Sequence, residues 1–132
     1  MGLPVATKAG GICFAFPDVC NTPAPPAPPI PIPYPNIGQL SDATGVSTDV
    51  KVGGNLVILK GSIIKNTTGD EAGSVGGVLS GSIVGKVEFE TASETVKING
   101  DKVVRMTDKT KQNNRNADGT VLGGVANVLC GG

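Results

Sequence analysis

Thr48-Asp-Val-Lys-Val52 alternates polar and apolar positions with β-branched residues among them, which predicts a half-buried strand. Gly53-Gly54-Asn55 supplies a turn and Leu56-Val-Ile-Leu59 returns, so residues 48–59 predict a hairpin. The same order comes back 46 residues later as Thr95-Val-Lys-Ile98, the turn Asn99-Gly100-Asp101, and Val103-Val-Arg-Met106. Gly54 matches Gly100, Asn55 matches Asp101, Val57 matches Val103 and Ile58 matches Val104. Each hairpin runs into a polar loop, residues 62–70 and 108–118, so the chain reads as an internal duplication of a hairpin plus loop. Between the two copies Gly73, Gly77, Gly81 and Gly85 stand four apart. On a helix they would line one face and permit close backbone approach, but the stretch is too short to span a bilayer, and each Gly costs a helix about 1 kcal/mol relative to Ala. Residues 72–85 therefore predict at most one short Gly-rich helix, or a loop, wedged against the body. Residues 88–90 continue as a strand, and the apolar, Gly-rich stretch 121–132 brings in Cys130.

Nine of the ten prolines fall between Pro17 and Pro35. Pro23, Pro25, Pro26, Pro28, Pro29, Pro31, Pro33 and Pro35 fix φ and remove backbone donors, so residues 20–36 predict an extended, polyproline-like strap. The interleaved Ile30, Ile32 and Tyr34 offer one face of that strap for packing onto a body. The alternative for the same segment is a linker or an interaction module that presents proline to an aromatic groove on a partner.

Composition narrows the class. A chain of 132 residues fits one domain, 1–132, with the proline strap inside it. There is no Trp, one Tyr and three Phe, so Val, Ile and Leu must fill the core, and 20 Gly imply many tight turns. A mainly β fold of short hairpins follows. Acidic and basic residues balance at 11 each with no basic stripe, which argues against nucleic acid as a partner. Histidine is absent, which removes the commonest general base and most Ser–His and Cys–His nucleophile arrangements. Asp70 and Glu71 are the one acid–base pair in view, and two adjacent acids at a turn read more simply as solvated, so no enzyme is expected and no catalytic residue is assigned. The first residues lack a signal peptide's basic start and apolar run, the positions before Cys13 do not form a lipoprotein box, and no 18 consecutive residues are apolar. Synthesis in the cytosol is expected, where Cys13, Cys20 and Cys130 are thiols or metal ligands sooner than disulfides.

Ala9-Gly-Gly-Ile-Cys-Phe-Ala-Phe-Pro-Asp-Val-Cys20, joined to Thr22-Pro-Ala-Pro-Pro26 and Pro31-Ile-Pro-Tyr-Pro-Asn-Ile37, resembles the opening of the PAAR-like (Tox-PAAR-like) family associated with type VI secretion. Residues 41–70 with Gly69-Asp-Glu71, and Gly100-Asp-Lys-Val-Val-Arg105 with its polar turn, resemble the same family, so the likeness covers nearly the whole chain. The resemblance implies a small cone-shaped β structure with pseudo-threefold character. Its base sits on a trimeric valine-glycine-repeat (VgrG) spike, one cone per trimer, and its point holds a metal ion. It implies a structural tip that caps and sharpens the spike of a contractile injection machine, aids puncture of a target membrane, carries effector cargo, and leaves the cell on the spike.

The chain departs from that family pattern in having no His, and the turn Thr107-Asp-Lys-Thr-Lys-Gln-Asn-Asn114 is where the resemblance places one. A metal must then rest on sulfur, with Cys13, Cys20 and Cys130 converging at one apex. Zinc suits three thiolates, ahead of iron, with Asp18, a backbone atom or water as fourth ligand. Six residues separate Cys13 from Cys20, which is not the spacing of a zinc knuckle, and buried free thiols or a disulfide formed after export are the other readings.

Overall fold

The computed structural model describes residues 2–130, with the backbone alone for residues 126 and 127. The strands are β1 (Leu3–Val5), β2 (Ile12–Ala24), β3 (Ala27–Gln39), β4 (Lys51–Val52), β5 (Asn55–Leu56), β6 (Ile63–Ile64) and β7 (Gly76–Gly77). After these come β8 (Val87–Phe89), β9 (Lys97–Ile98), β10 (Asp101–Lys102), β11 (Lys109–Gln112), β12 (Ala117–Leu122) and β13 (Val125–Cys130). The only helical turn among the described residues is the 3-10 turn Leu40–Asp42. The main sheet runs β3-β2-β12-β11-β8-β6, with β7 also paired to β2, and every named pairing is antiparallel. The fold is mainly β, as expected.

The duplicated hairpins form in the same register. Val52 faces Asn55 in β4–β5, and Ile98 faces Asp101 in β9–β10. Both turns need positive φ at two successive residues, which Gly53 (61°) and Gly54 (83°) supply in the first and Asn99 (51°) and Gly100 (81°) in the second. The polar stretch 108–118 differs from the loop expected. It is the hairpin β11–β12, and it hides from pattern reading because the residues it turns inward, Thr110 and Gln112, are polar.

A third segment completes a pseudo-threefold ring. The N–H of Ala6 donates to the carbonyl of Val104, that of Val104 to Ile58, and that of Ile58 back to Ala6, each at 3.0 Å. One step further out, Lys8 donates to Leu56, Lys60 to Lys102 and Met106 to Pro4. Each donor stands two residues after its ring member and each acceptor two before, so three segments of different sequence take equivalent places. All three ring side chains are fully buried. Val5, Val57, Leu59, Val103 and Cys130 pack together in one cluster. Cys13, Leu40, Ile64, Val87, Phe89 and Val121 form the other, together with the ring residues themselves. Each buried Val, Leu or Ile contributes about 1.5–3 kcal/mol through the apolar surface it removes from water.

The proline strap is half of a long β2–β3 hairpin turned at Pro25 and Pro26. Val75 and Val78 donate to the carbonyls of Asn21 and Val19, so β2 turns those two residues toward the β7 side. Asp18, Cys20 and Thr22 are left to bond their β3 partners Tyr34, Ile32 and Ile30. Pro31, Pro33 and Pro35 therefore take the outward positions of β3, where no N–H is required, and the next outward residue, Ile37, exchanges hydrogen bonds with Thr68. The expected packing of the strap's apolar face is not found for Ile30 and Ile32, which stay exposed, while the half-buried Tyr34 hydroxyl meets Thr22 at 2.7 Å. The glycine run forms turns around β7 and no helix, because Gly73 and Gly77 press backbone directly against Cys20 and Asn116, where a helix bearing side chains would not fit.

Candidate functional site

Beyond the apolar layer of Cys13, Leu40 and Val121, the interior turns polar. The β2 strand carries Asp18 and Cys20 inward after an irregularity in its register past Ala15, and β3 brings Asn36. The loop after β6 brings Asp70, and the turn joining β11 to β12 brings Asn113 and Asn116. That turn holds Asn113, Asn114 and Arg115 at positive φ (51°, 54° and 71°), a conformation Asn tolerates better than most side chains. Asp18, Cys20, Asn36, Asp70 and Asn113 are fully buried, and Asn116 is 8% exposed.

Asp18 is the hub. Its carboxylate accepts from the side-chain amides of Asn36 (3.2 Å), Asn113 (3.3 Å) and Asn116, and from the Cys20 thiol (3.6 Å). Asp70 accepts from the backbone N–H of Val84 at 3.0 Å, has Asn36 Nδ2 at 3.4 Å, and is hydrogen-bonded to Asp18. Burial first, and then that bond to Asp18, push the Asp70 carboxyl up to about 7. Burial, reinforced by the negative fields of Asp18 and Asp70, pushes the Cys20 thiol up to about 12, so it is a neutral donor at physiological pH.

The backbone fixes the orientation of the Gln112, Asn113 and Asn116 amides, and Gln112 in turn fixes that of Asn36. Gln112 Nε2 donates to the carbonyls of Cys13 (3.2 Å) and Asn36 (2.9 Å) and to Asn36 Oδ1 (2.9 Å). That leaves Asn36 Nδ2 to point at Asp18 and Thr67. Asn113 Oδ1 accepts from Gly85 N–H at 2.9 Å, and Asn116 Oδ1 accepts from Leu79 and Ser80 N–H at 2.8 and 3.0 Å. A flipped amide would set each of these oxygens against a carbonyl or a carboxylate and waste its donors.

The three sulfurs are not brought together. Cys13 lies in the ring-side core, where burial alone pushes its thiol up to about 12. Cys130 lies in the other cluster, beside Val5 and Val103, and only Cys20 reaches the polar layer. The clamp expected from Cys13, Cys20 and Cys130 fails because β2 alternates faces and bulges between its two cysteines, and β13 pairs with β1. Instead Asp18, Cys20 and Asp70 place one ligand atom each within 4.8 Å of one another. Three such donors are close enough to share an ion. Their surroundings do not fit a resident one: amide N–H groups point at the carboxylates, and no buried side-chain N or O among the described residues lacks a partner. The sequence singled out Asp18 and Cys20 but missed the asparagines. It also paired Asp70 with Glu71 as a solvated couple, whereas Asp70 is buried and Glu71 is exposed, accepting from Gly69 N–H at 2.8 Å.

A second buried charge lies at the end of the second repeat. Asp108 accepts from the backbone N–H of Arg105 at 2.7 Å and from its guanidinium at 3.1 and 2.9 Å. The equivalent place 46 residues earlier holds Ser62, which accepts from Leu59 N–H at 2.9 Å, so Asp108 keeps the turn and adds an ion pair.

The DNase toxin Tse7 of Pseudomonas aeruginosa is 41% identical over 125 residues, a match that takes in 89% of this chain and 32% of that protein. The chain thus spans about a third of the length of the curated relative it matches. No solved structure matches. The family model described as the Toxin PAAR-like domain matches residues 11–119, from the start of β2 into β12, and with that match the chain belongs to the Tox-PAAR-like family.

Proposed function

We propose that this chain forms the tip of the spike of a contractile injection machine of the type VI class, seated on a trimeric VgrG-type spike. The pseudo-threefold ring of Ala6, Ile58 and Val104 carries this reading, because a trimeric partner presents three equal surfaces and the ring offers three equivalent segments to meet them. The hairpin end is the docking side. There Val50 and Val96, equivalent in the two repeats, are 39% and 37% exposed, and Thr48 and Asp49 join Asn99 by hydrogen bonds that fix one hairpin against the other. The polar cluster and the proline hairpin then face away from the spike. On this reading the chain is made in the cytosol and leaves on the spike with whatever cargo rides with it.

The relative's name supports a second element of the proposal, that the tip serves a toxic effector. The DNase name belongs to a protein of which this chain matches a third. Incubating the purified chain with duplex DNA and a divalent cation tests directly for nuclease activity in these residues.

The tip reading is tested by size-exclusion chromatography with a purified trimeric spike. One chain per trimer is expected to co-migrate, and Val50→Asp with Val96→Asp is expected to abolish the complex while leaving the circular dichroism spectrum unchanged. A correctly folded chain that binds no spike, or binding that survives both substitutions, overturns it.

A further inference from the structure

The PAAR-like resemblance implies a metal at the point of the molecule, and the polar cluster is built for something else. Asp18 receives four donors, with Asn113, Asn116 and the Cys20 thiol on Oδ1 and Asn36 on Oδ2, a set that favours its ionised form and leaves Oδ2 able to accept one more. Asp70 receives the backbone N–H of Val84 at 3.0 Å, its own backbone N–H and, at 3.4 Å, Asn36 Nδ2, and its carboxyl meets Asp18. Two buried carboxyls in hydrogen-bond contact do not both ionise, and the one with fewer donors keeps the proton. The surroundings supply no counter-charge. Asp18 and Cys20 from β2 and Tyr34 from β3 are the titratable groups on the packed elements. Asn36, Thr67, Ser82, Asn113 and Asn116 complete the shell as neutral groups, and neither carboxyl receives a Lys or Arg side chain among the described residues. Arg115, on the same turn as two of the asparagines, is drawn away to Glu88 and Glu90.

We infer that this polar cluster, which on the proposed function lies at the end away from the spike, is closed without a metal ion, by a proton shared from Asp70 to an ionised Asp18 that is caged by the amides of Asn36, Asn113 and Asn116. The amide N–H groups occupy the directions from which a cation would have to approach, and the bonds on their oxygens, from Gln112 for Asn36 and from backbone N–H groups for Asn113 and Asn116, keep them there.

The two carboxyls consequently respond differently to the same substitution. Asp70→Asn replaces a protonated acid with an amide that still accepts from Val84 and donates to Asp18, so the melting temperature at neutral pH is expected to hold or rise. Asp18→Asn turns an amide toward four donors and is expected to lower it by roughly 10 °C or more. Elemental analysis of the wild-type chain, expressed with added zinc, is expected to give metal far below one ion per chain, and EDTA is expected to leave the melting temperature unchanged. Infrared spectra at mildly acidic pH are expected to show a protonated carboxyl band that Asp70→Asn removes. If Asp70→Asn does not fold, the metal content, the EDTA response and the wild-type band decide the matter. Stoichiometric metal with a melting temperature that falls in EDTA, or loss of stability in Asp70→Asn as large as in Asp18→Asn, overturns the inference.

Discussion

Gly77 tests how closely the glycine run is fitted to the polar cluster. Its φ is unexceptional, so Ala would be tolerated by the backbone itself, but a Cβ there would stand 2.3 Å from Cγ and Oδ1 of Asn116 and 2.6 Å from its Nδ2. Neither side can give way easily: β7 is hydrogen-bonded to β2, and Asn116 is held by Leu79, Ser80, Val19 and Asp18. Gly77→Ala must expel the Asn116 side chain, losing four hydrogen bonds of which one serves a buried carboxylate. At about 1 kcal/mol for each neutral bond and about 2 for the charged one, the cost is roughly 5 kcal/mol, less whatever relaxation recovers. For a domain of this size that lowers the melting temperature by about 15–20 °C. The assay is a double-mutant cycle by urea denaturation. Asn116→Ala alone loses the same bonds and opens the space the new methyl needs, so the double variant is expected to be no less stable than Asn116→Ala. Additive losses, or a Gly77→Ala variant as stable as the wild type, would refute the steric argument.

Stability should also depend on pH through Asp70. Its carboxyl titrates at about 7 in the folded chain against about 3.9 when unfolded, so the folded state holds a proton that the unfolded state releases between those values. The contribution is fully present below about pH 4 and is lost as pH rises through 7, so urea midpoints are expected to fall from pH 5 to pH 8 and to flatten in Asp70→Asn. Asp108→Ala leaves the half-buried Arg105 guanidinium and a backbone N–H without their acceptor and is expected to cost about 3–5 kcal/mol in the same assay.

Much of the fold was legible because its turns use chemistry that only a few residues permit. Gly53-Gly54 and Asn99-Gly100 fixed two hairpins, and their constant offset exposed the repeat. The third arm of the ring was not legible. Pro4, Ala6 and Lys8 share hydrogen-bond positions with their counterparts, and those are backbone properties that leave no mark on the side-chain pattern. The β11–β12 hairpin hid for the opposite reason, since Thr110 and Gln112 alternate correctly but face a polar interior. The same cause explains the site. Thiolate clusters announce themselves by residue type, so Cys13 and Cys130 drew attention that their apolar burial does not reward. A carboxylate caged by amides is assembled from Asn36, Asn113 and Asn116, residues that elsewhere simply form turns. What identifies them is the backbone donors and acceptors that hold their amides, and those exist only once the chain is folded.

The prolines of β3 have a bearing on how the chain behaves before it finds any partner. A long, flat edge strand with Ile30 and Ile32 uncovered is the usual starting point for chains to zip together through their backbones. Here Pro31, Pro33 and Pro35 present no hydrogen to an incoming strand, and Ile37 has already spent its own on Thr68. The sheet therefore ends where the chain ends it, and crowded copies can collide along this edge without polymerising.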